Sequence, residues 1–160
     1  MIRWLISVWN QLTRRASVPA AAEDGARGER AAADFLQARH GFTIVTRNWR
    51  SPRDRRDEID LVCRDGEVLV FVEVKARAEG ALVSGFDAVN ERKKRALRRA
   101  VHAYLAELHP PPRTFRFDVA EVTLSARLPA QVHHFANVPL FPKGYYVARQ
   151  TGAMDEAARP

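Results

Sequence analysis

The sequence predicts a single α/β domain in which a mixed central sheet is flanked by helices, and three observations support this fold class. Two segments carry apolar residues at helical spacing, and five others are short runs rich in β-branched and aromatic residues. Their order along the chain is helix, three strands, helix, two strands, which is typical of a layered α/β fold. A length of 160 residues suits one domain that buries a core without disulfides or structural metal ions.

The first helix is predicted in residues 23–42, where Leu36 shares an apolar stripe with alanines and with Glu29. Gly41 stands where a C-terminal cap belongs. The next segment, residues 42–50, is predicted to be a strand from its β-branched and aromatic content, and a basic loop follows it.

Residues 58–76, EIDLVCRDGEVLVFVEVKA, are predicted to form a hairpin of two strands around a turn at Asp65-Gly66. A long helix is predicted in residues 84–108, and the run HPPPR ends it. Two further strands are predicted in residues 114–124 and 131–138. We expect residues 1–20 to be an N-terminal extension, residues 21–147 to be the domain and residues 148–160 to be a disordered tail.

The predicted hairpin contains three acids and a lysine among its apolar residues. With a turn at Asp65-Gly66, Glu58 would lie opposite Glu73 and Asp60 opposite Phe71. Residues two apart on a strand share a face, so the pattern predicts one charged face and one apolar face. The charged face would carry Glu58, Asp60, Glu73 and Lys75.

Carboxylates gathered on a covered face repel one another and resist burial unless a positive charge compensates them. Lys75 supplies one such charge, and a divalent cation would supply more. Oxygen ligands of this kind suit Mg²⁺ or Mn²⁺ better than Zn²⁺. The alternative is a solvated strand face on which Lys75 forms an ion pair with Glu73 or Asp60.

An acid followed, after a hairpin, by Glu73-Val74-Lys75 resembles the core motif of the PD-(D/E)xK nucleases. Seven segments, GARGERAAADFL, RNWR, DEIDLV, LVFVEVKAR, the helix that carries Lys93, RFDV and VHHFANV, extend the likeness over about residues 24–141. Together they resemble the YraN-type family of bacterial proteins. The resemblance implies a restriction-endonuclease-like αβββαββ core, close in layout to that of Holliday-junction resolvases.

The resemblance also implies roles for individual residues. Asp60, Glu73 and the backbone carbonyl of Val74 would hold Mg²⁺ or Mn²⁺, and Lys75 would orient or deprotonate the attacking water. Glu29 would complete the catalytic set from the first helix, and we expect Glu58 as an additional site residue. Ile59 stands where the motif has proline, so the sequence departs from the pattern at that position.

The charge of the chain suggests a polyanionic partner. Lys and Arg total 26 against 19 Asp and Glu, for a net charge of +7. A soluble surface from an arginine-favouring genome would give the same surplus. The residues that we expect to contact nucleic-acid phosphates are Arg53, Arg55, Arg56, Lys93, Lys94, Arg95, Arg98 and Arg99.

The leading interpretation is a Mg²⁺-dependent endonuclease that acts on DNA, including branched or structured DNA. Two alternatives remain open. One is a nucleic-acid-binding protein of the same fold that has no catalytic activity. The other is a basic interaction protein that meets an acidic partner or a membrane surface, through residues 2–12 if they form an amphipathic helix.

The remaining expectations concern compartment and assembly. A single cysteine, Cys63, excludes an intrachain disulfide framework and favours a reducing compartment, here the cytoplasm. No apolar run approaches membrane-spanning length. A homodimer would suit a symmetric nucleic-acid substrate, although no residue specifies one.

Overall fold

The computed structural model of the chain describes residues 20–80 and 91–141. These ranges contain two helices and five strands, in the order that the sequence predicts. The helices are α1 (Ala20–His40) and α2 (Glu91–Glu107), and the strands are β1 (Thr43–Arg50), β2 (Glu58–Asp65), β3 (Val68–Ala78), β4 (Thr114–Leu124) and β5 (Gln131–Phe135). The predicted α/β class with a mixed sheet is confirmed, and it is consistent with a restriction-endonuclease-like core.

Parts of three predicted segments lie outside the described residues. They are the N-terminal extension except for Ala20, the C-terminal tail, and residues 84–90 at the start of the predicted long helix. Within the described ranges, neither helix is both long and apolar enough to cross a membrane.

The five strands form one sheet in the order β1-β2-β3-β4-β5. Strand β3 runs parallel to β4, in a register that extends from Val68 opposite Thr114 to Ala78 opposite Leu124. The other neighbouring pairs are antiparallel. The chain passes through α2 between β3 and β4, because two parallel neighbours need a crossover connection. Residues 69–73 of β3 are all buried, as expected for a central strand covered on both faces.

Each face of the sheet packs against one helix. Helix α1 places Ala32, Ala33 and Leu36 against one face, and α2 places residues such as Leu97 and Val101 against the other. The apolar residues of α2 recur every three or four positions, so they form a single buried stripe. Trp49 packs at the edge of the α2 cluster, with its ring edge-on to that of Tyr104. Cys63 is fully buried beneath α1.

The β2–β3 hairpin has a different register from the predicted one. Asp65 pairs with Val68, so the two turn residues are Gly66 and Glu67 rather than Asp65 and Gly66. Gly66 has φ +55° and takes the first central position of the turn, where glycine meets no steric penalty. The register therefore differs by two residues from the prediction, and a shift of two leaves every side chain on the same face.

One apolar position of the hairpin does not follow simple alternation. Ile59 and Leu61 are two residues apart, so simple alternation would place them on the same face of the strand. It packs instead in the α2 cluster with Val62 and Phe71, whereas Leu61 lies beneath α1. The start of β2 is thus irregular immediately beside Asp60.

Helix α1 closely approaches β3 at a glycine. A Cβ atom on Gly28 would overlap the Cβ atom of Ala76, so only glycine lets the two elements pack at this distance. The helix ends at His40, and Gly41 follows with φ +69° and donates its N–H to the carbonyl of Gln37. The predicted C-terminal cap therefore forms.

A buried polar network ties β4 to its neighbours. Asp118 is fully buried, and its carboxylate accepts hydrogen bonds from the Arg116 side chain and from the backbone N–H of Asn137. It also pairs with His134 Nε2 at 2.9 Å. Arg116 continues the network to Asp65 on β2 at 2.8 Å. We interpret Asp118 as a structural anchor, because it makes these contacts and does not line the cavity described below.

Candidate active site

A cavity of about 590 Å³ lies where the start of β2 and the second half of β3 meet the first turns of α1 and the first turn of α2. The four residues predicted to be catalytic all line it, and so do Val74 and Glu58. Five carboxylates and three basic side chains therefore surround one space: Asp24, Glu29, Glu58, Asp60 and Glu73 with Lys75, Arg77 and Lys93.

Asp60 sits where the β2–β3 ladder ends. The last regular pair is Leu61 opposite Val72, and just beyond it the backbone N–H of Val74 donates to Asp60 Oδ2 at 2.7 Å. A carboxylate oxygen thus accepts from β3 at the point where strand pairing stops. This bond fixes Asp60 at the junction of the two strands and leaves its second oxygen without a hydrogen bond among the described residues.

Glu73 is the most deeply buried acid of the cavity, with 2% of its surface exposed. Its Oε1 atom lies 2.6 Å from Lys75 Nζ and 3.1 Å from Lys93 Nζ. Within residues 20–80 and 91–141, its Oε2 atom is the one buried side-chain oxygen or nitrogen without a hydrogen-bond partner. Buried carboxylate oxygens are costly to leave unpaired, so this atom marks a place where a ligand would be favourable.

The surroundings disfavour a negative charge on Asp60. Burial, and after it the nearby charge of Glu73, raise the pKa of its carboxyl group to about 7, against the opposing effects of the Val74 N–H and Lys93. The charge of Glu29 also contributes to the increase. A bound divalent cation would offset the same repulsion.

Glu29 and Glu58 line the same cavity as Asp60 and Glu73. Glu29 is partly buried on α1 and is brought to the cavity by the close approach at Gly28. Glu58 lines the cavity as well, but its Oε2 atom lies 2.7 Å from Arg50 on the neighbouring strand. Glu58 as an additional site residue therefore remains a prediction, and it would have to exchange this ion pair for a new partner.

The donor set limits how a metal ion could be held. Among the described residues, no three His, Cys, Asp or Glu side chains are grouped as a ready-made metal site. The residues that fit a hard cation are Asp60 and Glu73, together with the backbone carbonyl of Val74, which also lines the cavity. Two observations support this fit: Glu73 Oε2 has no hydrogen-bond partner in the described part of the chain, and the pKa of Asp60 is raised.

The basic residues predicted to bind phosphates come from two segments that the fold brings together. Arg99 of α2 forms two hydrogen bonds with Asp57, at 2.6 and 2.9 Å, and so holds the loop of residues 51–57 against the helix. That loop leads into Glu58, and the first turn of α2 carries Lys93; both of these residues line the cavity. We call this loop, together with the five basic residues of α2 that are predicted to bind phosphates, the basic rim; the five are Lys93, Lys94, Arg95, Arg98 and Arg99.

Several rim residues already have acidic partners. Arg56 pairs with Asp54, and both Lys94 and Arg98 pair with Glu91. Exposed side chains without an ion pair among the described residues are Arg53, Arg55 and Arg95. Their role in binding nucleic acid remains a prediction.

Sequence reasoning did not identify two features of the site. It assigned Lys93 to phosphate contacts, and its place at the edge of the apolar stripe suggested that it could face the sheet, but no acidic partner was predicted; the structure places it against Glu73. The available signal was its position beside the apolar stripe of α2. Asp57 carried no such signal, because its buried pairing with Arg99 joins residues that are 42 positions apart.

Comparison with known proteins identifies the family. Residues 28–122 match the family model described as "Uncharacterised protein family UPF0102", which is the YraN-type family. A UPF0102 protein of Beutenbergia cavernae is 44% identical over 114 residues, covering 71% of this chain and 93% of its own length. Relatives in Symbiobacterium thermophilum and Geobacter metallireducens are 48% and 39% identical, over 61% and 71% of this chain and 80% and 88% of their own lengths. The chain therefore belongs to the UPF0102 family, as its resemblance to the YraN-type proteins indicates.

Proposed function

We propose that this chain is a divalent-cation-dependent endonuclease that hydrolyses phosphodiester bonds in DNA. The observation that carries the proposal is the buried Oε2 atom of Glu73, which has no hydrogen-bond partner within residues 20–80 and 91–141 and lies beside Asp60 and Lys75 in one cavity. A buried acid in such surroundings lowers the stability of the folded protein. Acids of this kind are typical of functional sites.

Asp60, Glu73 and the Val74 carbonyl would hold the cation, with Mg²⁺ or Mn²⁺ as the candidates. A cation there would neutralise charge on the phosphate and make a water molecule more acidic. Glu29, at the other side of the cavity, would help to orient that water through its carboxylate.

Lys75 would act on the nucleophile. Its Nζ atom is 2.6 Å from Glu73 and its side chain is 23% exposed, so it borders both the acid pair and the cavity. From this position it would orient the attacking water or, in its neutral form, take a proton from it at Nζ. Glu73 would keep the lysine side chain in place.

The basic rim would hold the phosphate backbone across the mouth of the cavity. Contacts of this kind carry no direct sequence information and weaken as salt is added. We therefore expect the shape of the DNA to matter more than its sequence, which is compatible with a branched or structured substrate.

The test incubates purified wild-type protein with branched, single-stranded and duplex DNA in Mg²⁺, Mn²⁺ or EDTA. We expect cation-dependent cleavage that Asp60→Asn and Glu73→Gln abolish. Glu67→Gln serves as the matched control, because it removes an exposed acid at the far end of the same hairpin. Cleavage that persists equally in all variants would mean a contaminating nuclease and would refute the proposal. Cation-independent binding without cleavage would favour a catalytically inactive nucleic-acid-binding protein of this fold.

A further inference from the structure

Helix α2 delivers a second ammonium group to the acid pair. Lys93, the third residue of α2, lies 3.1 Å from the same Glu73 oxygen that Lys75 contacts at 2.6 Å. Two ammonium groups therefore share one carboxylate oxygen, while the other oxygen of that carboxylate has no partner among the described residues.

The two lysines differ in what holds them. Lys75 is two residues from Glu73 on β3, so both side chains lie on the same face of one strand. Lys93 reaches Glu73 from another element, and its side chain is 31% exposed where the basic rim meets the cavity. A flexible four-carbon side chain at such a border can reach either the acid or an anion outside it.

We propose that Lys93 contacts the scissile phosphate of the substrate, and that in the cation-free protein it is held on Glu73 as a stand-in for the cation. This inference rests on the proposed nuclease function and names a residue of the same site. A divalent cation on Glu73 would weaken the attraction between that carboxylate and Lys93. The ammonium group would then be available to the phosphate.

A purely structural role makes the opposite prediction for cation binding. If Lys93 only pins α2 to β3, its removal should displace Glu73 and weaken cation binding. If Lys93 competes with the cation, its removal should leave cation binding unchanged or make it tighter. The sign of this change separates the two roles without any measurement of cleavage.

The test compares wild type with Lys93→Met, which keeps the apolar stem of the side chain, and with Lys93→Arg, which keeps the charge. Arg92→Met is the matched control, because it removes one positive charge from an exposed neighbouring position of α2. Calorimetry measures Mn²⁺ binding without DNA, fluorescence anisotropy measures binding of a labelled branched DNA in Ca²⁺, and a gel assay measures cleavage in Mg²⁺. Far-ultraviolet circular dichroism confirms folding of each variant.

For Lys93→Met we expect Mn²⁺ affinity that is equal to that of wild type or up to about fivefold tighter. We also expect cleavage to fall by roughly 10²-fold, as when one charge-stabilising donor is removed from an active site. Lys93→Arg should recover part of the DNA affinity, and Arg92→Met should behave like wild type in the cleavage and Mn²⁺ assays.

Weaker Mn²⁺ binding by a folded Lys93→Met protein would overturn this inference and leave the nuclease proposal standing. Wild-type levels of DNA binding and cleavage in Lys93→Met would also overturn it. A wild-type protein that binds Mn²⁺ and DNA but cleaves nothing would refute the nuclease proposal, and the Mn²⁺ and DNA arms would still decide whether Lys93 is a phosphate contact. No Mn²⁺ binding by wild type would refute both.

Discussion

Gly28 of α1 and Ala76 of β3 pack so closely that a Cβ atom on the glycine would overlap that of the alanine. This contact lies beside the cavity and sets how far Glu29 stands from the acids on β2 and β3. Because the obstacle is a short side chain on a central strand, it cannot move aside as a flexible side chain would.

Gly28→Ala should therefore destabilise the protein by about 1–3 kcal/mol, since the extra methyl group must push α1 away from the sheet. Urea unfolding measures the change. Gly25→Ala is the control: a Cβ atom there meets nothing within 4 Å, and the gain in helix propensity should make the variant neutral or slightly more stable. Equal effects of the two substitutions would contradict the close-packing explanation. A double variant, Gly28→Ala with Ala76→Gly, should recover stability.

Asp60→Asn should stabilise the cation-free protein near pH 7. The folded protein holds a proton on Asp60 up to a pKa of about 7, whereas the unfolded chain releases it near the ordinary aspartate pKa of 3.8. Between about pH 4 and 7 the folded state therefore binds more protons, and wild-type stability falls as pH rises. We expect a gain of roughly 1–3 kcal/mol for the variant at pH 7.5 and little difference at pH 4. Urea titrations at the two pH values measure this, and a variant no more stable than wild type at pH 7.5 would argue against a protonated Asp60.

Mn²⁺ should raise the melting temperature of wild type, because a ligand that binds only the folded state stabilises it by mass action. At 100 times the dissociation constant the stabilisation would be about 2.7 kcal/mol. Glu73→Gln should remove most of this shift, while Glu67→Gln should keep it. Differential scanning fluorimetry over a Mn²⁺ series provides the measurement, and an equal shift in all three proteins would place the cation elsewhere.

Asp57→Asn should loosen the basic rim without unfolding the domain. The buried carboxylate of Asp57 holds Arg99, and the backbone carbonyl of Asp57 accepts the N–H of Ser51. Loss of the charged partner should increase amide hydrogen exchange in residues 51–57, while exchange in β3 stays slow. We also expect weaker DNA binding, since the loop would no longer be fixed against α2. Unchanged exchange in the loop would show that the Arg99 pair does not order it.

Asp118→Asn should destabilise the protein by about 2–4 kcal/mol, because the substitution removes a buried charge while its hydrogen-bonding partners remain in place. Hydrogen bonds from His134, Arg116 and the Asn137 N–H outweigh burial and lower the pKa of Asp118. Its stabilisation is therefore present above about pH 4 and is lost as pH falls through the lower folded pKa. Asp65→Asn, at the exposed end of the same network, should cost less than about 1 kcal/mol. Similar losses in the two variants would contradict this ranking.

The sequence predicted the faces of the hairpin better than its register. Asp-Gly at residues 65 and 66 favours a turn centred on both residues, but the structure centres it on Gly66 and Glu67. Both registers leave the same side chains on the same face, because they differ by an even number of residues. The prediction that Asp60 and Glu73 border one space thus depended on strand periodicity, which local sequence determines, and not on the details of the turn.

The sequence by itself determined the order of the elements, the apolar stripe of α2, the cap at Gly41 and the charged face of the hairpin. All of these follow from local periodicity and backbone preferences, which neighbouring residues encode. Only the tertiary structure decided that Lys93 contacts Glu73, that Asp57 holds Arg99 and that no residue which the structure describes pairs with Glu73 Oε2. Those relationships join α2 to the strands and the loop, and they depend on how the helix is placed on the sheet, which the packing of the whole core fixes.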